Sequence, residues 1–127
     1  MCLEKVTHKN LNLEGYGYKV FRRPYVPGGG LEFLYQGNHK NLPVGKWVNE
    51  KKFRNPSLYG IYTHSIQALD GTRYPKGWHI FASKQGAKRY MNGGRIVKKV
   101  EYRKGQTVGY EERFKVIVAR FIKIIEG

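Results

Sequence analysis

Cysteine is almost missing from this chain. Cys2 is the sole example, so no disulfide can close within one chain, and such usage fits a reducing compartment. Long apolar runs are missing too. None approaches the roughly 18 residues of a membrane span, and Met1 is not followed by a signal-peptide core. The expectation is a cytoplasmic protein with no membrane partner. Acids are scarce, 9 aspartates and glutamates against 24 lysines and arginines. Adjacent carboxylates occur at Glu111-Glu112, where neighbouring side chains point apart, and this reads as a solvated acidic turn rather than an acid–base pair. The 4 histidines, His8, His39, His64 and His79, have no CxxC or HxxxH companions, so no metal or cofactor is expected. His8 reads as an exposed polar residue. No nucleophile elbow or triad spacing is present, and the chain reads as a binding protein more readily than an enzyme.

What is present is basic and aromatic. The 127 residues are 40% apolar and 14% aromatic, too apolar for a disordered tail and enough for one domain with a modest core. The formal net charge is +15, beyond the roughly 2 to 8 units that solubility asks of a small domain. Self-repulsion on that scale points to an anionic partner: nucleic acid, a nucleoprotein or an acidic protein surface.

Hydrophobic spacing predicts an α+β fold, mainly antiparallel sheet with one or two short helices packed on it. The stretch Tyr74 to Met91 organises the chain. Pro75 and Gly77 mark a turn, and Trp78 to Phe81 has the content of a buried strand. Ser83 is placed as a helix N-cap, with Ala87, Tyr90 and Met91 at helical spacing and Gly93-Gly94 as the stop. Before it, residues 1–15 read as an N-terminal arm, with Leu11 and Leu13 able to add an edge strand, and residues 16–127 as a single domain. Tyr16 to Arg22 alternates as a strand. The glycines of Pro24 to Gly30 precede another strand, Leu31 to Gln36, rather than a helix, so they form a hairpin loop and not a phosphate cradle. Lys46 to Asn49 reads as a short strand and residues 49–57 as an exposed loop. Tyr59 to Leu69 reads as strand then short helix, closed by an Asp70-Gly71 turn.

Arg95 to Arg103 has the alternation of a half-exposed strand, with Lys104-Gly105 and Val108-Gly109 bracketing a loop. Arg113 to Ile125 is apolar on both faces, a central strand with Val116, Val118, Ile122 and Ile124 on one side and a bulge near Arg120.

The basic residues cluster. Between Gly71 and Lys104 there are ten, Arg73, Lys76, Lys84, Lys88, Arg89, Arg95, Lys98, Lys99, Arg103 and Lys104, against one acid, Glu101. Lys84 and Lys88 lie one helical turn apart, with Arg95 just beyond the expected C-cap. Together these residues are the candidate surface for phosphates, whose contacts release condensed counterions and make affinity fall with salt. Tyr25, Tyr35, Tyr59, Tyr62, Tyr74 and Tyr110 sit near turns, where exposed rings would let single-stranded bases stack. No RNA-recognition consensus or helix-turn-helix pattern is present, so sequence-specific reading of bases is not expected.

The arrangement GWHIF, then Ala87 and Tyr90, then an apolar strand pair, resembles small bacteriophage proteins in which a GWH or GFH strand precedes an A-x-x-Y helix. Gly17 to Arg22 matches their GYKVFR-like strand. The resemblance implies a phage or prophage origin and work in the host cytoplasm, on host or viral nucleic acid or against a host defence enzyme by protein contact. More remotely, Tyr35-Gln36-Gly37, Gly77 to Phe81, Ala87 and Tyr90 are similar to the ADP-ribosyltransferase fold, which implies a nicotinamide pocket between two strands. Gln36 stands where that family has the cofactor-holding histidine or arginine, and Glu101, Glu111 and Glu112 are positional candidates for its glutamate.

Overall fold

Seventeen consecutive residues, Arg95–Glu111, form one strand, and a turn at Glu112-Arg113 returns the chain as an eleven-residue strand, Phe114–Ile124. The computed structural model describes residues 3–22, 31–32, 41–42, 44–50, 65–91 and 95–125. In chain order these form β1 (Lys5–His8), β2 (Leu13–Arg22), β3 (Leu31–Glu32), β4 (Asn41–Leu42), β5 (Trp47–Asn49), β6 (Ser65–Gln67), β7 (Arg73–Pro75), β8 (Trp78–Phe81), α1 (Lys84–Lys88), β9 (Arg95–Glu111) and β10 (Phe114–Ile124). The fold is thus mostly antiparallel sheet, with a single short helix among the described residues.

The pairings close on themselves. β9 takes β10 along one edge, and on the other edge it takes β2 and then β1. The far edge of β10 takes β8 from Val116 to Ala119 and β5 from Phe121 to Lys123. β8 in turn meets β2 through Tyr18 and Phe81, so β2, β9, β10 and β8 form a circuit. Closure brings backbones very near each other at Gly17, where a Cβ would press on Ile80 and lie 2.8 Å from the Phe81 carbonyl oxygen. Glycine is the residue that permits this approach. β3 and β4 extend the sheet from β2, and β6 and β7 make a separate hairpin.

Each circuit strand buries both faces, in two separate clusters. The inner cluster holds Phe21, Trp78, Ile80, Val100, Tyr102, Ile117, Ala119, Ile122 and Ile124. The outer cluster joins Val20, Phe81, Val116 and Val118 to Ala87 of α1, Tyr74 of β7, Ala68 and Leu3. Along β10 the inner row passes from odd positions (Ile117, Ala119) to even ones (Ile122, Ile124). The strand therefore does not keep Val116, Val118, Ile122 and Ile124 on one face, as simple alternation predicts. The change of side lies around Arg120; the bulge expected there is instead on the neighbouring strand, where consecutive Val118 and Ala119 face Thr107 and Gly105 and Gln106 of β9 is the extra residue. The change of side is also where the partner of β10 passes from β8 to β5.

Three expectations change. The loop placed between Lys104-Gly105 and Val108-Gly109 is instead continuous strand, because both backbone edges find ladder partners there. The irregularity shrinks to a kink at Lys104, whose φ is 54°, and the extra residue Gln106. The short helix expected before Leu69 is β6: the Asp70-Gly71 turn sets Ile66 opposite Tyr74, and the Asp70 carboxylate accepts from Thr72 N at 2.9 Å and Val6 N at 3.2 Å. These two amides, Thr72 first, hold the Asp70 carboxyl below its usual range. Residues 3–15, expected as part of an arm, supply β1 and the start of β2, and Leu3 is fully buried. Residues 33–36 and 59–64, the expected loops over 24–30 and 51–57, and Gly93-Gly94 lie outside the described residues. The start of the expected 49–57 loop is described: Asn49 closes β5 and Glu50 is fully buried.

Ser83 caps α1 as its side chain accepts from Gly86 N at 3.1 Å. The helix ends at Arg89, earlier than the glycines suggested. Ala87 is buried and Tyr90 stacks on Phe81 with centroids 5.3 Å apart, whereas Met91 is exposed. No helix among the described residues is long and apolar enough to cross a membrane.

Candidate functional site

The outer face of the sheet has two halves. One is sealed: Tyr18, Val20 and Val97 pack with Ala87, Phe81 and Tyr74 beneath α1 and the β6–β7 hairpin. Further along the same face of β2 and β9 the cover stops, among the described residues. Here the register aligns Trp47 of β5, Lys123 of β10, Glu101 of β9 and Tyr16 of β2 in one row across four strands. The adjacent row carries Asn49, Phe121 and Arg103.

Cations lie on the rings of this open half. The Arg103 guanidinium is 4.2 Å from the Trp47 ring centroid, and Lys123 Nζ is 5.1 Å from the same ring. Lys104 Nζ is 5.5 Å from the Phe121 centroid and Lys99 Nζ is 5.4 Å from that of Tyr16. Such placements are attractive because the ring face carries negative quadrupole density. Lys123 also pairs with Glu101 at 3.2 Å. Tyr16 is 59% exposed, a large value for a ring in the middle of a strand. Trp47, Arg103 and Phe121 of these rows line a cleft of about 480 Å³ together with Asn12, Glu14 and Lys104.

The ten clustered basic residues are distributed as follows. Lys99 and Arg103 stand on the open outer face, joined at its margin by Lys104. Lys84 and Lys88 are exposed on α1, over the sealed half. Arg89 is held by Glu112 at 3.2 Å, and Arg95 donates to the Tyr90 carbonyl at 3.1 Å. Arg73 and Lys76 belong to the β7 hairpin and the turn after it. Lys98 alternates away from Lys99 and stands opposite Lys19 on the inner side of the β2–β9 pair. The structure thus gathers Lys99, Arg103 and Lys104 with Lys123, which lies outside the cluster in sequence, and it sends Lys98 to the other face.

A second polar group sits at the sealed end. The Leu3 amide donates to the Tyr74 hydroxyl at 2.9 Å, which lies 3.0 Å from His79 Nε2. A hydroxyl can accept twice, so this contact joins the hydroxyl and the ring nitrogen in whichever sense the imidazole tautomer sets. Burial, then the nearby charge of Lys19, lowers the His79 pKa to about 3. Lys19 is itself buried, donates to the His79 carbonyl at 3.0 Å and lies 5.8 Å from the Trp78 centroid. Burial brings its pKa down to about 7. His79 therefore has a core role, and nothing in a lone lysine between Tyr18 and Val20 signals Lys19 in advance.

Glu111 corrects another expectation. It is not part of a solvated acidic turn: it is buried and accepts the Tyr90 hydroxyl at 2.9 Å. Burial pushes its carboxyl upward, opposed by that hydrogen bond, and burial likewise pushes the Tyr90 hydroxyl up. Glu112, at φ 54°, faces solvent and pairs with Arg89. The three glutamates named for transferase chemistry therefore have structural partners in Lys123, Tyr90 and Arg89. Tyr35, Gln36 and Gly37 lie outside the described residues. No family model, curated protein or solved structure matches the chain.

Proposed function

We propose that this protein binds nucleic acid, alone or in a nucleoprotein, through phosphate contacts made from the open outer face and from α1. The observation that carries the reading is the company of Lys99, Arg103, Lys104 and Lys123 on one open surface of a chain whose net charge is +15. Lys84 and Lys88 extend the positive surface over the helix. The likeness to small bacteriophage proteins suits a role on host or viral nucleic acid in the host cytoplasm. Contacts of this kind go to the backbone, so binding is sequence-tolerant and weakens steeply with salt.

Retention of labelled DNA and RNA across a salt series tests this. The expected result is tight retention at low salt that fades as salt rises. Reversing Lys84, Lys88 and Lys99 to glutamate weakens retention while leaving the melting temperature within a few degrees, since all three lie outside the core. Absence of retention at the lowest salt overturns the reading. In that case a partner captured from nuclease-treated host lysate would move the function to an acidic protein surface.

A further inference from the structure

We infer that the cleft between Trp47 and Phe121 receives an unpaired base, so that the protein prefers single-stranded to duplex nucleic acid. The inference rests on the nucleic-acid reading above and adds the form of its ligand.

Three features of the open face lead there. First, it presents rings as well as charge. The base faces of an intact duplex are stacked on one another, so a surface ring can stack only on a base that has left the stack. Second, the rings are spaced. Trp47 and Tyr16 occupy the two ends of one cross-strand row, three strand spacings apart, or about 14 Å. A single strand crossing β5, β10, β9 and β2 meets one ring at each end and the ammonium of Lys123 between them. Third, the volume fits. A cleft of about 480 Å³ lies in the range of small-ligand sites, roughly 300 to 1,000 Å³.

The polar groups orient the ligand. Arg103, Lys104 and Lys123 sit over the Trp47 and Phe121 rings and place phosphates at that side. Glu14 lines the cleft with Asn12, and its carboxylate repels a phosphate while accepting from an exocyclic amino group, as carboxylates do toward cytosine N4. The base therefore enters with its edge toward Asn12 and Glu14 and its backbone toward the cations. Glu101, paired with Lys123, lowers the charge at the row's centre and leaves the ends, where the rings are, the more attractive.

The two tryptophans supply the test. Trp78 is fully buried in the inner core, so quenching of emission by an added oligonucleotide reports Trp47. An oligothymidylate, an oligocytidylate and a duplex of equal length are titrated at low salt against the full chain. The expected result is quenching by both single strands, stronger with oligocytidylate because thymine has no amino group to offer Glu14, and less by the duplex, with Trp47→Phe abolishing the signal but retaining binding. Trp47→Ala, checked for an unchanged circular dichroism spectrum, weakens single-strand binding by about tenfold or more and leaves duplex binding as it was. Equal affinity for single strand and duplex, both indifferent to Trp47→Ala, overturns the inference and leaves the phosphate-binding reading standing. Quenching that persists in Trp47→Phe overturns it also. If neither form binds at low salt, both readings fall together.

Discussion

Along one face of the same two strands the protein does two different things. Near α1, β2 and β9 present Tyr18, Val20 and Val97, and these are sealed by Ala87, Phe81 and Tyr74. Two residues further along each strand the side chains become Tyr16, Lys99, Glu101 and Arg103, and the seal ends among the described residues. The β2–β9 ladder runs without a break from Tyr16 to Val20, so the pairing of these two strands does not by itself separate the halves. The difference is in the side chains: an apolar end can be stabilised only by being covered, whereas cations and rings tolerate water and hold their attraction for an anionic aromatic ligand. One end of the face contributes to stability, and the other is the surface on which the proposed binding would take place.

The sharpest way to break that comparison is to remove a ring from each half. Phe81 is 1% exposed and stacks on Tyr90, and Phe81→Ala opens a cavity beneath α1 that costs about 3–5 kcal/mol. Tyr16 is 59% exposed, and Tyr16→Ala alters unfolding free energy by no more than about 0.5 kcal/mol. Urea unfolding of the two variants measures both. Similar losses at the two sites would mean that the open half is structural after all.

A second effect separates the halves by pH. His79 belongs to the sealed end, and its pKa is lowered to about 3 from an ordinary value of 6.5. The unfolded chain takes up that proton first, so the stability is fully present above pH 6.5 and falls as pH drops toward 3. The slope from this one group approaches about 1.4 kcal/mol per pH unit. Lys19 works in another window: with a folded pKa of about 7 against 10.5, it makes stability rise as pH climbs between those values. His79→Gln, whose side-chain amide can still hydrogen-bond with Tyr74, removes the acid slope and leaves the alkaline rise. An acid slope that survives in His79→Gln would place its origin elsewhere.

Much of the sealed half was legible in the sequence. The buried strand Trp78 to Phe81, the Ser83 cap and the Ala87–Tyr90 pair are local patterns, and local patterns are what composition and spacing record. The kink at Lys104 was legible as a break but not as its kind. A Lys-Gly pair marks a loop as readily as a bulge, and only the partners on both edges of β9 decide between them. The open half was hidden for a related reason. Trp47, Phe121, Arg103 and Tyr16 are far apart in sequence and come together through the register of four strands. The charge cluster pointed to Lys99 and Arg103 but placed Lys98 beside them, since adjacency in sequence is opposition in a strand. Lys123 stood outside the cluster altogether.

Glu111 and Glu112 give the finest version of the comparison, because two adjacent carboxylates meet the two environments. Glu111 is 7% exposed and accepts the Tyr90 hydroxyl at 2.9 Å. Tyr90→Phe leaves that carboxylate without the hydroxyl in a place where water cannot fully replace it, and the loss is about 1–2 kcal/mol. Glu112 meets Arg89 at 3.2 Å with side chains 44% and 61% exposed. An ion pair so exposed is screened by water and salt, and Arg89→Ala shifts stability by less than about 0.5 kcal/mol. Thermal unfolding at low and high salt reads the distinction, since the Tyr90 loss persists in salt while any Arg89 effect fades. Were Arg89→Ala the larger of the two, exposure would not be what governs the worth of a polar contact in this protein.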